Sequence, residues 1–268
     1  MAEAHVKTYA SAADALAEAA GLRWLAAAES DGGARVARVL DEGPARVTLE
    51  RIGDGHASRR AAERFGAALA RTHAAGAAGW GTPPPGWPAG EPLSMGRSRT
   101  RFVAEAESPA TWGEFYAEYR IRDYVRRIVD AGTFSPSDAA VFDRVANRVE
   151  AGQLGSPQPA LIGDRPARLH GDLWSGNVLW PGDDEPTGAV LIDPTAHGGH
   201  AETDLALLAL FGLPGLEVVL ASYDETSPLA DGWHERVALH QLAPLLLHTL
   251  LFGGSYADAA LRAARRYE

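Results

Sequence analysis

A short polar loop set between apolar runs constrains this chain more than any other feature. Residues 169–180 read Leu-His-Gly-Asp-Leu-Trp-Ser-Gly-Asn-Val-Leu-Trp, and a second apolar run ends in a carboxylate at Leu191-Ile192-Asp193. Asp172 and Asn177 therefore share one loop, and Asp193 closes the strand-like run that follows. A Gly-Asp pair alone is an ordinary turn, so Asp172 gains its meaning from these partners. Asparagine is scarce and occurs elsewhere only at Asn147. A carboxylate can accept a hydroxyl proton while an amide oxygen and a second carboxylate hold a divalent cation on phosphates. The arrangement suits phosphoryl transfer from a nucleotide.

Asp-x4-Asn followed by a strand-end Asp is the spacing of the kinase catalytic loop and its metal-binding Asp, with His170 in the place of that loop's His. A partner for the phosphates is also present. Of 25 basic residues only Lys7 is a lysine, in the strand-like segment Ala4-His5-Val6-Lys7. A guanidinium fork replaces a compact ammonium poorly at nucleotide phosphates, although one surviving lysine is also compatible with chance. Glu18, in the helical stretch 12–28, would complete the Lys–Glu pair that positions ATP.

Composition narrows the remaining classes. The chain has 268 residues, 46% of them hydrophobic, enough for one large domain or two unequal lobes. A net charge of −10 argues against a nucleic-acid partner. The absence of cysteine excludes disulfides, thiolate nucleophiles and Cys-zinc sites. The Ala-rich start carries Asp14, Glu18 and Arg23, unlike a signal-peptide core. The longest apolar stretch, 242–252, is interrupted by Pro244 and His248 and is too short to span a bilayer. The expected compartment is the cytoplasm, and oligomeric state is not legible.

Periodicity predicts a strand at 4–9, a helix at 12–28, and strands near 35–40 and 45–50. This small mixed lobe, 1–52, would end in a hinge at Leu49-Glu50-Arg51-Ile52. Gly53-Asp54-Gly55 opens no βαβ unit and is not a dinucleotide loop. A helical lobe, 53–268, would follow. Its predicted helices lie at 60–74, 111–131, 135–151, 202–212, 215–223, 232–252 and 255–267, with a loop at 76–97 and short strands at 177–180 and 189–193. The Arg59-Arg60 and Arg126-Arg127 pairs read as solvated helix faces.

The words His-Gly-Asp-Leu-Trp-Ser-Gly-Asn, Leu-Ile-Asp-Pro and Gly-His-Ala-Glu-Thr-Asp-Leu-Ala resemble the fructosamine (ketosamine-3) kinase family. The resemblance runs from about Val6 to Tyr256, with later echoes in Ser227-Pro228-Leu229 and Gly232-Trp233. It implies an α+β, protein-kinase-like bilobal fold, with a small β-rich N-terminal lobe and a larger helical one. It also implies ATP-dependent phosphorylation of the sugar O3 of ketosamines, whose phosphate can then eliminate and free the amine. On this reading Asp172 is the base, and Asn177 and Asp193 are Mg²⁺ ligands. Lys7 and Glu18, with backbone groups of the hinge Glu50-Arg51-Ile52, bind ATP.

Trp174 reads equally as a core aromatic or a sugar-stacking face. His170 is expected to brace the loop, and Asp204 to tie its backbone from the start of a helix. His197-Gly-Gly-His200-Ala-Glu202 lacks a third metal ligand at a familiar spacing, so His200 and Glu202 are expected to contact substrate. Two departures stand out. Only six residues precede Lys7, so the hairpin that covers ATP phosphates is expected to be absent, and 80–101 lacks the family's usual Asp-Asn-containing stretch. The alternatives are an aminoglycoside- or choline-type phosphotransferase and an N-terminally truncated, nucleotide-binding pseudoenzyme.

Overall fold

The computed structural model describes residues 4–53, 55–87, 92–95 and 98–268. It begins with β1 (Ala4–Thr8), α1 (Ala12–Ala26), β2 (Arg35–Val36), β3 (Val39–Gly43) and β4 (Arg46–Glu50). Strands β1, β4 and β3 form an antiparallel sheet in that order, with Lys7 opposite Val47. Alternation along β4 buries Val47 and Leu49, as a half-buried strand requires. Ser11 caps α1 by accepting from the Asp14 N–H. The helix then buries Ala15, Ala19, Leu22 and Leu25 along one stripe against the sheet.

The predicted strand at 35–40 divides in two. β2 leaves the N-terminal sheet and pairs parallel with β9 (Val190–Leu191), which pairs antiparallel with β8 (Val178–Leu179). Val36 and Val178 thus flank Leu191 on either side, and Asp193 follows two residues on. This small sheet ties the segment leading to Asp193 to both the N-terminal elements and the loop that carries Asp172 and Asn177.

α2 (Arg59–Ala74) packs against α7 (Leu216–Thr226). Phe65, Leu69, Leu173, Leu205 and Tyr223 join the β4 and α1 side chains in one core, which therefore runs across residue 52. The loop expected at 76–97 contains the strand β5 (Leu93–Met95), paired with β6 (Ser98–Thr100). Residues 88–91 and 96–97 of the departing 80–101 segment lie outside the described residues, as does Asp54.

A second core belongs to helices alone: α3 (Trp112–Tyr116), α4 (Asp123–Asp130), α5 (Pro136–Glu150), α8 (Trp233–His240), α9 (Leu242–Phe252) and α10 (Ser255–Ala264). The helix expected at 111–131 is interrupted by a wider π-helical stretch, Ala117–Arg122. The helix expected at 232–252 breaks at Gln241, which places Pro244 in the first turn of α9. There its missing N–H costs nothing, because first-turn N–H groups have no intrahelical acceptor. The remaining elements are β7 (Ala167–Leu169), paired with β10 (His197–Gly199), and α6 (Glu202–Phe211).

Candidate active site

The loop after β7 is held from beneath. Gly171 has φ +82°, and a Cβ there would lie 2.1 Å from the Thr195 carbonyl oxygen, so only glycine fits. Asp204, in the first turn of α6 and 1% exposed, accepts from the backbone N–H groups of His170 (2.7 Å) and Gly171 (3.0 Å). His73 lies 3.2 Å from the same carboxylate. Burial works to raise the Asp204 pKa, but these donors hold it below the usual carboxylate range.

His170 is fully buried, and burial pushes its pKa down. Its Nδ1 accepts from the Asp172 N–H at 3.3 Å, so the proton sits on Nε2, 2.8 Å from the Ile192 carbonyl. One neutral imidazole therefore joins the Asp172 loop to the backbone one residue before Asp193.

Above this brace the polar side chains converge. The Asn177 amide nitrogen donates to the Asp172 carbonyl (2.8 Å) and to Asp172 Oδ2 (3.1 Å), which leaves its side-chain oxygen for a cation. Burial is the main cause of an Asp172 pKa raised to about 6, and the charges of Asp193 and Asp204 add to it against the Asn177 bond. Lys7 Nζ lies 2.7 Å from both oxygens of Glu18 and 2.6 Å from Asp193 Oδ1. Glu18 is 7% exposed and also accepts from the Tyr9 hydroxyl. Asp193 has φ +56°, the one positive φ outside glycine among the described residues. Asp tolerates that conformation better than most residues, and such strain gathers at functional sites. Two carboxylates and an amide oxygen are the hard donors that suit Mg²⁺.

Lys7, Tyr9, Glu18, Asp172 and Asp193 border a cleft of about 680 Å³, with Asn177 behind Asp172. Trp174 is 40% exposed on its wall, edge-on to Phe211 at 6.2 Å, so it is not a core aromatic. A Cβ on Gly176 would lie 2.3 Å from the Trp174 ring, so glycine lets the indole fold back over the loop. His248, Phe252 and Tyr256 extend this aromatic wall. Sequence reasoning missed these residues and Tyr9. Only the Tyr9 position, two residues past Lys7, offered a local signal.

Other expected site residues do not border this cleft, although His200 lines a smaller cavity that also reaches Asp172. Glu50 closes β4, and its carboxylate binds Arg35 (2.7 Å) and the Arg38 N–H (3.0 Å). Arg51 and Ile52 follow it, and none of the three borders the cleft. Glu202 corrects the expectation of a substrate contact: it is 3% exposed and grips Arg236 through both oxygens at 2.6 and 2.9 Å. Burial works to raise its pKa, but His240 and Arg236 overcome this and hold it at about 2. His200 is buried beside it, and burial pushes its pKa down to about 3.

His240 brings a third ligand-type atom within 4.8 Å of His200 and Glu202, which sequence spacing could not show. Its Nε2 lies 3.3 Å from Glu202 without hydrogen-bond alignment. Arg236 already neutralises the carboxylate, so the cluster reads as an internal ion pair.

Comparison with known proteins adds to this geometry. The model of the fructosamine kinase family matches residues 5–267. A probable ketoamine kinase of Synechocystis is 33% identical over 258 residues, covering 91% of this chain and 75% of its own. Further curated ketoamine kinases match over between 48% and 52% of their own length. A crystal structure from Thermobifida fusca, assigned as a fructosamine-3-kinase, has a TM-score of 0.84 at 41% identity, covering 99% of this chain and 85% of its own. A macrolide 2'-phosphotransferase from Brachybacterium faecium shares the fold, with a TM-score of 0.57 at 16% identity over 98% and 84% of the two chains. The fold is protein-kinase-like, with a small sheet region and a mainly helical remainder.

Proposed function

The chain belongs to the fructosamine kinase family, and we propose that it transfers the γ-phosphoryl group of ATP to O3 of a ketosamine. The observation that carries this reading is the meeting of Lys7, Glu18, Asp172 and Asp193 at one cleft from separate parts of the chain, with Asn177 hydrogen-bonded to Asp172 behind it. Family membership implies ATP and a divalent metal.

The residues divide the chemistry among them. Asp172 accepts the proton of the attacking hydroxyl, and its raised pKa makes it a better base than a free aspartate. O3 then bonds to the γ-phosphorus as the bond to the ADP oxygen breaks. Lys7, oriented by Glu18 and Tyr9, contacts the nucleotide phosphates. Asn177 and Asp193 would hold Mg²⁺, which spreads the charge of the transferring group. The N-terminal segment, 1–52, supplies the nucleotide side through Lys7, Tyr9 and Glu18. Trp174 offers a stacking face for the sugar. His170 and Asp204 keep the loop in place. A supply of ATP and a chain without cysteine fit the cytoplasm.

The test is ADP release from Mg²⁺-ATP with a ribulosyl-amine, beside aminoglycoside and choline controls and Asp172→Asn. Turnover with the ketosamine alone, lost in the variant, is the expected result. Turnover with a control instead supports an aminoglycoside- or choline-type enzyme. Nucleotide binding without any turnover supports a pseudoenzyme, although all five site residues are in place.

A further inference from the structure

A second cavity, of about 50 Å³, also borders Asp172. Gly171, Asp172, Thr195, His197 and Arg120 line it, whereas Lys7, Glu18 and Asp193 line only the larger cleft. By the same measure one water needs about 10–15 Å³. The cavity therefore has room for a carboxylate-sized group and not for a sugar ring.

Arg120 is the unusual member of this lining. It is 5% exposed and lies with its guanidinium 4.7 Å from the centre of the Phe115 ring. Nη1 donates to the backbone carbonyls of Arg101 and Tyr119 at 3.0 and 3.1 Å. Nη2 is buried with no hydrogen-bond partner. No carboxylate of the described residues forms an ion pair with it. The neighbouring Asp123 is shared by Arg101, Arg126 and Arg127 at 3.7, 3.8 and 3.4 Å. A chain of net charge −10 thus keeps a buried guanidinium without an ion-pair partner in the cavity that borders its proposed base.

The backbone adds an independent observation. Arg120 sits within the π-helical stretch Ala117–Arg122. Wider turns of this kind cost hydrogen-bond geometry and occur often at functional sites, where they re-aim a side chain. Leaving a buried guanidinium without a counter-ion is expensive, and a carboxylate that docks on its fork recovers the cost.

We propose that Arg120 anchors a carboxylate carried on the amine half of the substrate, so that this chain acts on ketosamines of free amino acids. The proposal rests on the ketosamine reading above. In a glycated α-amino acid the carboxylate connects to O3 through C3, C2, C1, the amine nitrogen and Cα. A glycated lysine side chain carries no carboxylate at that place. A phosphate on the far end of the sugar would be the other anionic source, and it is bulkier than the cavity.

The experiment compares KM for ribulosylglycine, ribulosyl-ethylamine and the 5-phosphate of ribulosyl-ethylamine. The glycine adduct is expected to have the lowest KM, by about 10–100-fold over ribulosyl-ethylamine, the range of a charge-assisted hydrogen bond. Arg120→Met should bring that ratio close to one, and Arg120→Lys should keep part of it, while a merely structural Arg120 would lower kcat for all three alike. Equal KM values in the unmodified protein overturn the anchor and leave the kinase reading intact. Preference for the 5-phosphate also overturns it. Phosphorylation of none of the three overturns the kinase reading and the anchor with it. Because the unmodified protein already decides, a variant that fails to fold does not protect the proposal.

Discussion

Asp193 and Glu202 lie close in sequence, and each meets a basic side chain at 2.6 Å, yet their surroundings differ sharply. The Asp193 side chain keeps 42% of its surface exposed, holds a left-handed backbone, and shares Lys7 with Glu18. Glu202 is buried, with both oxygens spent on Arg236. The first cluster has coordination left over for a ligand; the second is complete in itself. Proximity in sequence to a motif therefore does not make a residue part of the site. What matters is whether its polar valence is satisfied by the protein.

Substitutions can break this contrast. The largest effect is expected for Asp172→Asn, which removes the proposed base and should lower kcat by about 10²–10⁴ while nucleotide binding survives. Steady-state kinetics beside calorimetric titration with ATP would check both halves. Glu202→Gln should act the other way. It leaves Arg236 short of its counter-charge in a buried place, at a cost of about 3–5 kcal/mol in denaturant unfolding, with KM for the ketosamine unchanged. A raised KM in a fully stable Glu202→Gln protein would restore Glu202 to the site.

Much of the active cluster was legible because it is local or chemically singular. Asp172 and Asn177 share one loop, and Lys7 is the only lysine. The brace formed by His170 and Asp204 followed from the same motif words. The aromatic wall was not legible, because Phe211, His248, Phe252 and Tyr256 come from three helices that only packing brings together. Arg120 was hidden for another reason: helical periodicity runs smoothly through 111–131, and nothing in it announces a π-helical stretch. Likewise, the run at 35–40 looks like one strand until Val36 finds Leu191 across most of the chain. His240 completes the buried cluster from a helix that spacing arguments on His197–Glu202 could not reach.

The pH dependence sharpens the contrast further. Asp172 has a pKa raised to about 6 by burial and must be ionised to act as base. The kcat/KM profile should therefore rise about tenfold per pH unit up to about 6 and level off above it. A flat profile between pH 4.5 and 8 would remove Asp172 from the proton transfer. The same shift carries a smaller stability signature. Because the folded pKa lies above the unfolded one, the stability that Asp172 contributes is fully present below about pH 3.8 and lost as pH rises through 6. At pH 7 Asp172→Asn should then stabilise the fold by about 1–2 kcal/mol, after discounting for the partial exposure of the group. Glu202→Gln should show the opposite sign in the same unfolding experiment.

The most direct measurement is carbon and phosphorus NMR of the product formed from Mg²⁺-ATP and a ribulosyl-amine labelled with ¹³C at C3. Phosphorus coupling to the labelled carbon, present with the unmodified protein and absent with Asp172→Asn, is the expected result. A phosphate on another hydroxyl, or an unmodified ketosamine after full conversion conditions, would contradict the assignment of this cleft to ketosamine O3 phosphorylation.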